Sequence, residues 1–358
     1  MALIKKLAPG LLLCIGIALV ATWLGRLVPV VGAPVFGIVI GAIIAAFLRP
    51  GGATDAGAGW AGKRVLQASV VVLGSGLSIG QVLTTGWQSL PVMLGTLTVA
   101  LLGAWLIGRA LGLTGDVRTL IGVGTGICGA SAIAATQSVI RAKSADVVYA
   151  IGTIFTFNVI AVLTFPFIGR ALGMSNHAFG LWAGTAINDT SSVVAASFSF
   201  SAAAGAYGIV VKLTRTLMII PITIAIAVYQ RRKARVAELA AVGAPETTSG
   251  VRTDAAAPAP GTQRPGARIS WTSIVPLFLV WFVVVVIVNS LGVIPAAWHP
   301  YLSQLGTFMI TVALVGIGLG TRVTVLKQAG YKPLALGASL WVLVALASLG
   351  LQALTHTL

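Results

Sequence analysis

The chain has 358 residues, of which 57% are hydrophobic and only 8% charged. Soluble domains carry about 25% charged residues, so this composition excludes an ordinary water-soluble fold and indicates an integral membrane protein. The net charge of +16 comes from 23 Lys+Arg against 7 Asp+Glu, but the basic residues gather at segment ends and in one loop, as in cytoplasmic membrane loops, so no nucleic-acid partner is expected.

Apolar runs of about 18–20 residues recur along the chain, each able to cross about 30 Å of hydrocarbon as a helix. The alternating pattern of a transmembrane β-barrel is absent. The expectation is therefore an all-α polytopic membrane protein of eleven helix-scale segments, lodged in the lipid bilayer. The opening "MALIKKLAPGLLLCIGIALVATWLG" has the basic start and apolar centre of a signal peptide. No small-residue cleavage site follows, and it reads as a retained first helix over 11–28. Segments at 34–48, 64–82 and 91–112 come next, with an external loop expected at 83–90.

The next segment, 117–142, contains "GVGTGICGASAIAAT" (122–136), where glycines and small hydroxyl residues replace large aliphatic ones. Glycines at 122, 124, 126 and 129 weaken a helix and let a ligand approach the backbone. Segment 145–172 follows, then 177–200, which carries "GTAINDTSSVVAA" (184–196). The two stretches overlay at an offset of sixty residues: Gly124 on Gly184, Thr125 on Thr185, Ile127 on Ile187, Ser131 on Ser191 and Ala135 on Ala195. Tyr149 and Pro166 find counterparts in Tyr207 and Pro221.

Non-helical backbone survives at membrane depth only where protein or a water-filled cavity satisfies it. Two helix breaks are therefore expected, with Thr125, Ser131, Thr190, Ser191 and Ser192 able to cap new half-helices. A half-helix start presents free N–H groups and the positive end of a dipole, which suits an anion. Two such starts facing each other near the midplane would form a pocket. Tight packing of small residues is the simpler reading of the first stretch. Asn188-Asp189-Thr190 is too polar for packing alone.

Segment 205–230 holds two intramembrane cations, Lys212 and Arg215, three positions apart and so on one helix face. They can snorkel to the surface, help hold an anion, or pair with Asp189. In the last case Asp189 would be the proton-coupling group. Asn158 and Asn289 are buried polar candidates that a helix–helix hydrogen bond explains equally well. The expected substrate-binding set is Thr125, Gly126, Cys128, Gly129, Ser131, Thr185, Asn188, Asp189, Thr190, Ser191, Lys212 and Arg215.

The stretch 231–270, "RRKARVAELAAVGAPETTSGVRTDAAAPAPGTQRPGAR" and two further residues, reads as a flexible linker between membrane parts 1–230 and 271–358. Arg231, Arg232, Lys233, Arg235 and Arg268 at its edges make it cytoplasmic, and the N-terminus with it. Segments 272–292, 302–321 and 333–356 complete the chain. The charge pattern fits two topologies, with 117–142 and 177–200 either spanning or re-entrant. Spanning places Arg141 and Lys143 outside; re-entry places Arg170 outside instead. Broken but spanning helices are the preferred reading. A second echo joins 74–91 to 316–333. The two echoes suggest internal, inverted repeats but do not combine into one simple unit.

The pair "GVGTGICGASAIAA" and "AGTAINDTSSVVAA", with "LGSGLSIG" before and "GIGLGTRV" near the end, resembles the proposed sulfate exporter family of bacterial inner-membrane proteins over nearly the full length. That family is similar to bile-acid, arsenite and cation–proton transporters, whose folds have inverted repeats and crossed, broken helices. The resemblance implies transport of an anionic, sulfur-containing substrate such as sulfate or sulfite across the inner (cell) membrane.

No G-x-x-x-x-G-K-[ST] occurs, so coupling to a proton or sodium ion is expected in place of ATP. An anion channel is the alternative class. An intramembrane enzyme is not expected: Cys128 has no histidine at membrane depth to activate it, and Asp189 has no second buried Asp. No cofactor or metal is expected from two cysteines and three histidines spread far apart. A homodimer is compatible with the sequence.

Overall fold

The computed structural model describes residues 2–28, 32–47, 53–242, 277–320 and 330–357. Every regular element among them is helical. Helices α1 (Ala2–Leu27) and α2 (Ala33–Phe47) are followed by α3 (Ala53–Trp60), which continues through one π-helical turn into α4 (Leu66–Leu73). Then come α5 (Ile79–Ala110), α6 (Gly115–Gly126), α7 (Ala130–Ile140), α8 (Ser144–Ala171), α9 (Asn176–Ala186), α10 (Thr190–Phe200), α11 (Ala202–Thr216) and α12 (Ile219–Val242). The chain resumes with α13 (Leu277–Ser290), α14 (His299–Gly320) and α15 (Tyr331–Leu354). Among the described residues, six helical stretches are long and apolar enough to cross a membrane, and shorter apolar helices accompany them. The chain is a multi-pass membrane protein.

The expected loop at 83–90 is helix. The break lies earlier, at a Gly74–Gly76 turn, and α5 starts where Ser78 and Gln81 form a reciprocal capping box of 2.9 and 3.2 Å. Pro91 stays inside α5 without ending it. The segment expected over 205–230 is split at Leu217–Met218, because Pro221 has no N–H to give the carbonyl four residues back. Helix α12 runs on to Val242, so the first part of the segment read as a linker is helical; "RRKARVAELAAV" is rich in good helix formers. The remainder of that segment, 243–270, lies outside the described residues.

The preferred spanning topology is corrected by the ends of the broken segments. Ser201 Oγ, just past α10, donates to Asn176 Oδ1 at the start of α9 at 2.7 Å, and the Phe179 and Phe200 rings stack at 4.0 Å. Those ends are 25 residues apart in sequence, which a straight helical path would spread over roughly 37 Å. Helices α9 and α10 are therefore a re-entrant hairpin. Arg170, at the end of α8, donates to Ser199 O at 2.5 Å and ties α8 to the hairpin's base.

Helices α6 and α7 fold back likewise. A Cβ on Gly124 would sit 3.0 Å from the Ile133 side chain, whereas nine residues of straight helix would separate them by about 13 Å. Leu113, Val117, Ile140, Ala142 and Val147 gather in one cluster at this hairpin's base. The charge rule could not separate the two topologies, because re-entry exchanges Arg141 and Lys143 for Arg170 between the faces.

The hairpin bases fix the direction of each helix. Arg109, Arg118, Arg141, Lys143, Arg232 and Lys332 lie on one face, the basic face, and Arg26 and Arg170 on the other. Hairpin one (α6–α7) enters from the basic face and hairpin two (α9–α10) from the opposite face. After hairpin one, α8 crosses away from the basic face; after hairpin two, α11–α12 crosses back. The sixty-residue echo is thus an inverted repeat. The second echo is inverted too. Gly306 of α14 meets Leu73 of α4, and Gly316 meets Ala58 and Gly62, so these helices run antiparallel; Gly95 and Gly103 of α5 meet Leu351 and Leu340 of α15 in the same sense. The hairpin unit follows α4–α5 in the first half but precedes α14–α15 in the second. This permutation is why the echoes form no single consecutive unit.

Two bundles result. Helices α1 to α4, α13 and α14 pack together, with backbone in close approach where a Cβ on Gly318 would lie 2.4 Å from Ile38 O. Helices α5, α8, α11, α12 and α15 surround the two hairpins. The seam between them is apolar, with Ile38, Val70, Phe282 and Ile310 against Val162, Val194, Ile209 and Leu213.

Candidate functional site

The hairpin tips, Ile127–Gly129 and Ile187–Asp189, meet in the interior: a Cβ on Gly129 would lie 3.6 Å from Asp189 Cβ. Each tip joins the carbonyl end of one half-helix to the amide end of the next. The last carbonyls of α6 and α9 have no partner within their helices and carry the negative pole of the dipole. At membrane depth they need donors.

Lys212 and Arg215 of α11 supply them, and both are 0% exposed. Lys212 Nζ donates to Ile127 O and to Ile187 O, each at 2.8 Å, so one ammonium bridges both tips. Arg215 Nε donates to Gly126 O at 2.7 Å, Nη2 to Thr125 O at 3.0 Å and Nη1 to Thr185 O. A planar fork suits this three-way clamp. Snorkelling is excluded by the burial. Pairing with Asp189 is not what the geometry provides: both cations hold backbone carbonyls, and the Asp189 carboxylate is engaged elsewhere.

Asp189 is the N-cap of α10. Its Oδ2 accepts from Ser191 N at 3.0 Å, Ser192 N at 3.4 Å and Ser191 Oγ. The amides of Asn188 and Asp189 donate to Asn158 Oδ1 of α8, each at 3.2 Å. Hairpin two is thereby closed by side chains of the chain itself. Hairpin one has no such carboxylate: Gly129 occupies the equivalent position sixty residues earlier and gives α7 no N-cap side-chain bond, and the first-turn amide of Ala132 is met by the Cys128 sulfur. Its φ of 70° belongs to glycine. Ala130 and Ser131, the first turn of α7, are exposed, while Thr190 and Ser191 are half-buried.

All twelve expected residues are brought to the tips, in different roles. Thr125, Gly126 and Thr185 present carbonyls to Arg215; Gly126 also packs against Leu97, and Cys128 is buried in the tip. The Thr125 hydroxyl and Asn188 Oδ1 are buried without partners. Asn158 was legible only as a polar side chain in an apolar span. Ser348 and Gln352 carried no signal at all: Thr185 Oγ1 lies 2.7 Å from Ser348 Oγ, which accepts from Gln352 Nε2 at 3.3 Å.

The family model described as "Conserved hypothetical protein 698" matches residues 9–248 and 253–337. The chain is similar to a UPF0324 membrane protein of Streptococcus pyogenes serotype M3, 39% identical over 353 residues, covering 98% of this chain and 97% of that one. It is equally similar to UPF0324 membrane proteins of Streptococcus mutans (39% over 351 residues, 96% of each chain) and Streptococcus pneumoniae (39% over 362 residues, 99% of each). No solved structure matches.

Proposed function

The chain belongs to the UPF0324 membrane protein family, and from the geometry of its tips we propose that it is a secondary transporter of a small anion across the bacterial inner membrane. The observation that carries this reading is the asymmetry of the tips. Two inverted hairpins meet around buried cations, and one half-helix start is capped by the chain's own carboxylate while its counterpart, at Gly129, has none. At the tips, Lys212 and Arg215 against Asp189 leave one formal positive charge. An intramembrane charge without a counterion is costly. An anion at the start of α7 meets a half-helix end that no carboxylate caps and the positive dipole end, and completes the balance.

The substrate class, sulfate, sulfite or a related oxyanion, rests on the sequence resemblance. Because Lys212 and Arg215 bind both tips to one helix, the hairpins move together. Alternating access then consists of the hairpin bundle moving as a body against the other bundle across their apolar seam. The basic face is cytoplasmic on this reading.

The test is a thermal-shift screen of purified protein against sulfate, sulfite, thiosulfate, acetate and chloride, followed by counterflow in liposomes. A stabilising anion raises the melting temperature by mass action, and the same anion is expected to exchange saturably across the bilayer. If none of these anions stabilises the protein and none exchanges, the reading fails.

A further inference from the structure

We infer that Lys212 and Arg215 stand where a transporter of this architecture would otherwise hold a coupling metal cation, so that the tips take no sodium ion. The inference rests on reading the tips as the transport site. In transporters with broken helices, carbonyls at half-helix C-terminal ends and in the unwound backbone coordinate the coupling cation. Such carbonyls are present here at both tips: Thr125, Gly126 and Ile127 in one, Thr185 and Ile187 in the other. All five accept from a side-chain cation.

Lys212 Nζ lies 2.8 Å from one carbonyl of each hairpin, which is where an ion shared by the tips would sit. An ammonium is a compact point charge with three donors and so serves as a tethered substitute for a monovalent metal ion. The consequence is chemical. The cation that links the hairpins is carried covalently on α11 and does not come and go with sodium, so the bound state of the tips is set by the anion alone.

Purified full-length protein is compared in sodium chloride, potassium chloride and choline chloride at matched ionic strength, and saturable radiosodium binding is measured in parallel. The wild type is expected to melt at the same temperature in all three salts and to bind no radiosodium saturably; a sodium-specific rise or saturable binding overturns the inference. Lys212→Ala empties the carbonyl pair of its ammonium. This variant is expected to gain a sodium-dependent rise in melting temperature that saturates, or to fold only when sodium is supplied. A folded variant with no sodium response overturns the inference. If the variant folds in no salt, the wild-type radiosodium result decides in either direction. These are binding measurements on a cation, so their failure is distinct from a failure of the anion screen.

Discussion

Gly129 and Asp189 occupy one position in the two repeats and give opposite outcomes at the amide end of a half-helix. Asp189 accepts from Ser191 N and Ser192 N, whereas Gly129 leaves α7 without a side-chain cap. The presence of Asp189 in an apolar segment was legible in the sequence; its role was not, because its partners are the amides of its own helix and not the cations that the composition made conspicuous. The cap role has a measurable signature. Asn ranks with Asp as an N-cap, and Ala costs about 0.5–2 kcal/mol. Asp189→Asn is therefore expected to lose less than about 1 kcal/mol of stability and Asp189→Ala clearly more. Equal losses of several kcal/mol in chemical denaturation would instead indicate a carboxylate neutralising a buried cation. The mirror experiment fills the open end. Gly129→Asp brings a tethered carboxylate to α7 and is expected to abolish anion-induced stabilisation. Gly129→Ala carries the same backbone strain at a φ of 70° without the charge, and is expected to retain it. Anion response surviving in Gly129→Asp removes the start of α7 from the site.

At the scale of elements, the helices were largely readable from apolar run length, and the two breaks from glycine and polar density. The direction of the chain after each break was not. Hydropathy reports depth, and the charge pattern reports sides, but Arg141, Lys143 and Arg170 compensate one another between the two topologies. What decides between them is long-range side-chain contact, such as Asn176 with Ser201, which periodicity does not encode. The start of α5 was misplaced for a different reason: Pro91 and the polar run before it read as a loop, while the Ser78–Gln81 capping box had already started the helix. The hairpin has a direct chemical check. The Asn176 and Ser201 side chains touch at 2.7 Å, so Asn176→Cys with Ser201→Cys is expected to form a disulfide readily under mild oxidation. Cys14 and Cys128 are buried and should not compete. Mass spectrometry of the bridged peptide reads the result, and a spanning segment, with these ends on opposite faces, would leave both thiols free.

At the scale of the whole molecule, the two inverted echoes and the permuted order of their units produce two bundles joined along an apolar seam. The second bundle gathers α5 and α15 from distant parts of the chain. This interleaving was invisible to local sequence reading, although both echoes that cause it were on the surface of the sequence. In the re-entrant arrangement most basic residues at helix ends fall on one face. Arg118, Arg141, Lys143 and Arg232 share one face with the start of α15, leaving Arg26 and Arg170 opposite. The proposed orientation rests on that asymmetry, because loops rich in Lys and Arg tend to stay in the cytoplasm. Two exposed serines test it. Ser144 follows hairpin one on the basic face, and Ser303 lies in the first turns of α14 on the other. In intact cells, Ser303→Cys is expected to react with an impermeant thiol reagent and Ser144→Cys to be protected until the membrane is opened. The reverse pattern would invert the molecule. Labelling of both from outside would mean that hairpin one crosses the bilayer, and the inverted relation between the two hairpin units would fall with it.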